Sequence, residues 1–249
     1  MVAKSALYVA ALAALSMVAV QNASAAKIAV SSGLADGNIY YRASVPDYGN
    51  TSGDSGDLLV GVGFPDGGIQ QRVGIYVFKL PSLSAGETVT GASFQAYLSE
   101  VQTNLASFNV DMYVTRVGSG TTYDYATDFG DGPTPAPVLG TLIQNDFVTP
   151  TTPKDALVNT SAAGNTALLN YLNLPGNYVG GSYLFVRLNG DYSNLQNQEW
   201  ANFMTADKGS QAGSAGLMPT LTLTTVPEPA SLALLGLSGL AMLRRRRQA

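Results

Sequence analysis

Apolar and polar residues alternate in several short stretches between residues 26 and 225, and this period of two predicts β-strands. In each stretch every second side chain is apolar, so one face of the strand would be buried. The clearest stretches are Arg72–Lys79, Ala92–Leu98, Phe108–Val114, Tyr183–Leu188 and Thr220–Thr224, and weaker ones are Ile39–Arg42, Leu58–Val62 and Trp200–Thr205. This pattern predicts an all-β fold, specifically an antiparallel two-sheet β-sandwich with a jelly-roll-like topology.

Little helix is expected in this region. Asn165–Leu172 places its leucines on one side, and Pro175 follows just beyond the end, which predicts one short helix. The proline-rich residues 130–153 predict a long loop with one strand near Leu139–Ile143. No internal repeat is visible, which argues against propeller and solenoid folds.

The first 25 residues have the layout of a secretory signal peptide. Lys4 precedes an apolar stretch from Ala6 to Val20, and the small-x-small sequence Ala23-Ser24-Ala25 follows. We therefore expect cleavage after Ala25 or Ala26. The alternative, a buried core helix, does not explain why the apolar run stands at the N-terminus behind a lysine.

The C-terminal end carries a second apolar run, Ala230–Leu243, which contains no charged residue. As a helix it would be roughly 21 Å long, shorter than the ~30 Å hydrocarbon core of a bilayer, and its two glycines weaken it further. Arg244–Arg247 follow at once, and their long side chains can reach the interface and hold that end in the cytoplasm. The tail is therefore predicted to be a marginal transmembrane helix, with a core helix ending in solvated arginines as the alternative.

This tail resembles the PEP-CTERM sorting signal of Gram-negative bacteria, because a Pro-Glu-Pro motif, an apolar helix and an arginine cluster follow one another. By this resemblance, a membrane-embedded exosortase recognises Val226, Pro227, Glu228 and Pro229. Topology would be set by Arg244, Arg245, Arg246 and Arg247. The inner membrane would hold the protein transiently, before its release to the cell surface or extracellular matrix. The expected parts are a signal peptide (1–25), a β-sandwich domain (26–225) and a sorting signal (226–249).

Composition narrows the function of the middle region. The chain contains no Cys and no His, which excludes disulfides, thiolate nucleophiles, zinc sites built on these residues and imidazole bases. Residues 26–226 hold 8 basic and 16 acidic side chains, a net charge of about −8. An acidic region without a basic patch argues against a nucleic-acid partner.

A second resemblance runs through the middle of the chain. The order of its segments is similar to that of the DNRLRE-type β-sandwich of bacterial surface proteins, with an early Asp, an Arg-apolar segment and a final Pro-x-Leu-x-Leu strand. The segments are Asp36–Arg42, Tyr48-Gly49-Asn50, Leu58–Gly61, Arg72–Leu83, Gly86–Leu98, Phe203–Asp207 and Met218–Thr225. The resemblance implies an adhesive or carbohydrate-associated module.

The densest group of reactive side chains is Tyr123–Gly132, and its acids could in principle serve glycoside hydrolysis. Acid- and glycine-rich loops of secreted β-proteins are more often solvated turns, so we expect no enzyme and no cofactor. The remaining cofactor candidate is Ca²⁺, which accepts carboxylate oxygens in irregular loops. Its candidate ligands are Asp124, Asp128 and Asp131, or Asp54 and Asp57, with turn-forming aspartates as the alternative.

An aromatic platform for sugars is the last candidate site. Tyr76, Tyr97 and Tyr113 alternate with the expected core residues of three strands, and Trp200 is the only tryptophan. Ordinary cross-strand packing is the competing interpretation. The sequence therefore predicts an exported, non-catalytic surface or matrix protein with a structural or adhesive role in exopolysaccharide or biofilm. A carbohydrate-binding module is the alternative, and a polysaccharide hydrolase or lyase comes third.

Overall fold

The computed structural model describes residues 26–31, 36–42, 47–52, 57–63, 69–102, 108–129, 140–191, 199–206 and 216–227. The predicted signal peptide and the predicted transmembrane helix lie outside these residues, as do Arg244–Arg247. Within the described part of the chain, no helix is both long enough and apolar enough to cross a membrane.

The described residues form mainly strands, which confirms the all-β prediction. The strands are β1 (Ala26–Ser31), β2 (Gly37–Arg42), β3 (Asp47–Ser52), β4 (Asp57–Gly63), β5 (Gln70–Lys79), β6 (Glu87–Gln102), β7 (Asn109–Gly118), β8 (Thr141–Val148), β9 (Ala156–Asn159), β10 (Tyr183–Asp191), β11 (Glu199–Met204) and β12 (Thr220–Pro227). The two helices are α1 (Tyr125–Asp128) and α2 (Ala162–Leu172).

The chain divides into two compact units. The described residues of the smaller unit are 26–27, 83–90 and 224–227, and the larger unit comprises the described residues of 28–82 and 91–223. The strands follow the order β1-β12-β6-β11-β4-β5-β10-β7-β8. Outside this order, β2 pairs with β5 and β3, and β9 pairs with β6. Neighbouring strands such as β5 and β10 run antiparallel, which confirms the predicted direction of pairing.

The sheet of the larger unit is curled, as contacts between aromatic rings of distant strands show. Phe94 of β6 and Phe147 of β8 have ring centroids 5.6 Å apart. These strands are six positions apart in the strand order, which would separate them by roughly 29 Å in a flat sheet. The rings of Tyr76 and Phe203 join the same group. The main core therefore lies on the concave face, where residues from both ends of the sheet pack together.

The central strand β5 is buried on both faces. Val73, Ile75 and Val77 pack on one face in a hydrophobic cluster with Ile39, Tyr41, Phe129 and Phe185, while Tyr76 and Phe78 lie on the face with Phe94. Phe129 follows directly on α1, so the α1 segment covers a face that would otherwise meet water. On the opposite face, Tyr76 is fully buried beside the ring of Phe94, so its predicted outward position is wrong.

Helix α2 begins three residues before the predicted start. Ser161 is its N-cap, and its side chain accepts a hydrogen bond of 3.1 Å from the backbone N–H of Gly164. Leu168 and Leu172 are buried, as predicted. Of the predicted long loop at 130–153, residues 130–139 lie outside the described residues. The strand predicted near Leu139–Ile143 is present as β8, but it extends further, to Val148, and buries Phe147 and Val148.

Candidate functional site

The start of the C-terminal signal is built into the smaller unit, at the end of β12. Thr225 is fully buried, and its hydroxyl is hydrogen-bonded to a carboxylate oxygen of Glu87 on β6. The hydroxyls of Thr90 and Thr88 donate longer bonds, of 3.4 and 3.5 Å, to the carbonyl oxygens of the residues before and after Thr225. Side chains of β6 thus reinforce the attachment of β12 almost to its last residue.

Glu87 is positioned by a tight turn. The N–H of Glu87 donates to the carbonyl of Ser84 over 3.0 Å, and the N–H of Ser84 donates to Glu87 Oε2 over 3.0 Å. Gly86 has φ +78°, a conformation that favours glycine at this turn position. The hydrogen bond with Thr225 and, secondarily, that from the Ser84 backbone lower the pKa of Glu87. The carboxylate therefore holds the turn and β12 together in its charged form.

Pro227 is the last residue of β12, and it has no N–H with which to continue a strand ladder. The strand predicted to stop after Thr224 continues three residues further, through the first two residues of the predicted sorting motif, Val226 and Pro227. The remaining motif residues, Glu228 and Pro229, lie outside the described residues.

Of the first group of predicted calcium residues, the structure describes Asp124 and Asp128, and Asp128 does not face an open cation site. Asp128 is fully buried and accepts hydrogen bonds from the Thr115 hydroxyl (2.9 Å), from Arg116 Nη2 (2.9 Å) and from the backbone N–H of Asp124 (2.8 Å). Its charge is balanced by the guanidinium, which corrects its assignment as a calcium ligand. Asp124 is exposed and accepts a hydrogen bond from the side chain of Thr127, while Asp131 lies outside the described residues.

Arg116 holds residues 122–129 against the face of the sheet that contains Phe185. Its guanidinium carbon lies 3.6 Å from the centroid of the Phe185 ring, and Nη2 also donates to the carbonyl of Thr122 over 2.7 Å. Burial, followed by the charges of Asp36 and Asp128, raises the pKa of Tyr123 in the same segment. The described part of the acid-rich stretch, residues 123–129, thus has a structural role. In the second predicted calcium pair, Asp57 is the first residue of β4 and is half-buried, whereas Asp54 lies outside the described residues.

Asp36, the early Asp of the DNRLRE-like order, is a buried acceptor for two distant backbone groups. Its carboxylate oxygens accept from the N–H of Val77 (3.0 Å) and from the N–H of Ala206 (3.2 Å). The side chain therefore joins the region before β2 to the ends of β5 and β11.

The predicted aromatic platform is not assembled. Tyr76 is fully buried and donates its hydroxyl to the carbonyl of Met204 over 3.0 Å, so it cannot stack on a sugar. Tyr97 and Trp200 are partly exposed on neighbouring strands, but Trp200 lies opposite Gln102, roughly 16 Å along β6 from Tyr97. Tyr113 lies on β7, five positions from β6 in the strand order.

An acidic group that the sequence did not suggest lies on β7, β8 and β10. Carboxylate oxygens of Asp111, Asp146 and Asp191 lie within 4.8 Å of one another. Burial raises the pKa of Asp111, and burial together with the two other charges raises the pKa of Asp191. Asp111 also accepts hydrogen bonds from the Asp146 N–H (2.8 Å) and from the hydroxyl of Tyr113 (3.3 Å). The three acids are far apart in sequence, and no local motif connects them.

Comparison with known proteins confirms the C-terminal prediction. Residues 225–247 match the family model of the PEP-CTERM protein-sorting motif. No curated protein matches the chain. The chain therefore carries a PEP-CTERM signal, which implies export by the membrane-associated exosortase route. The DNRLRE-like order of the middle region stays a prediction.

Proposed function

We propose that the processed protein is a non-catalytic component of the cell surface or extracellular matrix, with a structural or adhesive role in exopolysaccharide or biofilm. The match of residues 225–247 to the sorting motif carries this proposal. In this proposal, the signal peptide directs translocation, and the tail holds the protein transiently in the inner membrane. Exosortase then releases the middle region, residues 26–225, which we call the body. Extracellular polysaccharide is the proposed partner, and neither nucleic acid nor a cofactor has a part.

For the body, we propose a β-sandwich of jelly-roll-like topology. The curl that brings Phe94 and Phe147 to 5.6 Å supports this arrangement, because rings from strands far apart in the sheet order face each other across a common core. The surface would then consist of strand faces and loops, as in many adhesive modules.

The proposed lack of catalysis is supported by the position of one acid of the Tyr123–Gly132 group. Asp128 is fully buried and paired with Arg116. This carboxylate therefore serves the fold. Turnover of a polysaccharide by the purified protein would contradict the proposal.

The sorting step is tested by Glu228→Ala and by deletion of Arg244–Arg247 in host cells. We expect both variants to accumulate unprocessed in the inner-membrane fraction, while the wild type reaches the surface or matrix as a shorter chain. Glu100→Ala, at an exposed acid on β6, is the matched control. If both variants reach the surface with wild-type size and amount, exosortase sorting is not the route of export.

Carbohydrate binding is the second candidate function, favoured by the partial exposure of Tyr97 and Trp200 on adjacent strands β6 and β11. Their separation of roughly 16 Å suits two points on an extended glycan better than a single sugar ring. A glycan array with the processed protein tests this function. Binding that is lost in both Tyr97→Ala and Trp200→Ala would favour it over the structural role.

A further inference from the structure

The beginning of the sorting motif is a paired strand. Of the matched residues 225–247, the first three belong to β12, and Thr225 is fully buried against Glu87. The carbonyl of Val226 accepts a bond from Thr88 as well. These contacts involve only the smaller unit, and Glu87 lies 138 residues before Thr225 in the chain.

An enzyme that processes a peptide commonly binds it as an extended strand, through the same backbone groups that a sheet uses. Residues 225–227 cannot enter such a site while they are paired in β12. To reach them, the enzyme must first detach the strand end, which breaks the Glu87–Thr225 hydrogen bond and exposes a buried side chain. β12 itself places this requirement on the residues as far as Pro227, the last residue of the strand.

We propose that Glu87 is a positioning residue for exosortase processing: it anchors β12 through Thr225, so that the cut falls beyond Pro227 and the mature protein keeps the whole strand. This inference rests on the proposed function. The step is cleavage of one peptide bond, in which the C–N bond breaks, water supplies the hydroxyl of the new carboxyl group and the departing amine takes a proton.

The interaction has features suited to this role. The Ser84–Glu87 turn fixes the Glu87 backbone, and the charged carboxylate is the stronger form of a hydrogen-bond acceptor. Thr225 presents its hydroxyl from a buried position, so its side chain has little freedom to turn away. Neither residue belongs to the Pro-Glu-Pro sequence itself, so the motif alone does not reveal this determinant.

The test uses the full chain expressed in host cells, with the C-terminal residue of the processed protein determined by intact mass and by its C-terminal peptide. The variants are Glu87→Ala, Thr225→Val and Thr225→Ser, and Thr166→Val on α2 is the matched control for loss of a threonine hydroxyl. We expect the wild type, Thr225→Ser and Thr166→Val to share one cut beyond Pro227. We expect Glu87→Ala and Thr225→Val to yield additional products that end within β12.

Amide hydrogen exchange on the purified full chains provides a second readout. Exchange at residues 224–226 should be about tenfold faster in Glu87→Ala and Thr225→Val than in wild type, and Thr225→Ser should restore protection. A purely structural role would lower the yield of the protein without moving the cut. Unchanged exchange together with an unchanged cut in both variants would overturn the inference. Absence of processing in the wild type would instead refute the proposed function, and the exchange comparison would still decide the role of Glu87.

Discussion

Asp128→Asn should destabilise the body because it removes the charge that balances Arg116. The Asp128 side chain is fully buried, and that of Arg116 is 22% exposed, with 2.9 Å between the carboxylate oxygen and Nη2. The asparagine keeps one acceptor oxygen but directs an amide N–H₂ group toward the guanidinium or the Asp124 N–H. The guanidinium stays in place over Phe185 without its counter-charge.

Removal of one member of a buried ion pair costs roughly 3–5 kcal/mol. Partial exposure of Arg116 places the expected loss in the free energy of unfolding near the lower end, about 3 kcal/mol. For a domain of this size, each kcal/mol corresponds to roughly 2–4 °C in the melting temperature, so the expected decrease is about 6–12 °C.

The assay is thermal unfolding of the processed protein by circular dichroism, with millimolar Ca²⁺ and with chelator. Asp155→Asn is the matched control, because Asp155 is exposed and has φ +53°, a conformation that asparagine tolerates. We expect Asp128→Asn to melt lower by the same amount in both buffers, and Arg116→Met to add little to it in the double variant. A melting temperature within about 2 °C of wild type, or a loss seen only with Ca²⁺, would refute the ion-pair interpretation.

Three further variants test other parts of the fold. Asp36→Ala should lower the free energy of unfolding by about 2–4 kcal/mol in urea titrations, since two buried backbone N–H groups lose their acceptor. Gly61→Ala should prevent folding or lower the melting temperature sharply, because its Cβ would lie 2.1 Å from the carbonyl oxygen of Glu199 at φ +130°. Wild-type stability would contradict this close approach of the two strands. Asp111 has a raised pKa, so its folded form binds a proton more readily than the unfolded form, and its charge costs stability above that pKa. Asp111→Asn should therefore gain stability relative to wild type at pH 7 and lose that advantage as the pH falls toward 4, whereas a constant difference would argue against the cost of burying the Asp111 charge.

The fold class was predictable from alternation alone, but the burial of the second face was not. Val73, Ile75 and Val77 were correctly placed together, yet the intervening Tyr76 is equally buried. The sequence contained a sign of this, because Ile75 to Phe78 are four consecutive apolar or aromatic residues, a pattern of strands covered on both faces. The face of Tyr76 and Phe78 is covered by the ring of Phe94, which belongs to another strand, β6, and this contact has no local signature in β5.

The site predictions failed where the partner is distant in the chain. Acids in a loop look alike in sequence whether they are solvated, bind a cation or pair with a base. Asp128 takes its counter-charge from Arg116 on the preceding strand, and that pairing depends on how the chain turns between them. Asp111 and Asp191 meet only because β7 and β10 are neighbours in the sheet. The sorting motif could be identified because it is linear, and its recognition does not depend on a tertiary contact.

The contrast between a linear motif and sites built from distant residues also bears on the overlap of the sorting motif with β12. A linear address needs only to be exposed when the enzyme meets it, whereas β12 must be paired with β6 for the sheet to be complete. The two requirements meet at Thr225 to Pro227, which belong both to the matched motif and to the strand. β12 pairs with β6, a strand more than a hundred residues earlier, so this pairing is among the most non-local in the fold. It can form only after the chain as far as residue 227 has crossed the inner membrane. Removal of the tail beyond that point leaves every described strand with its full length.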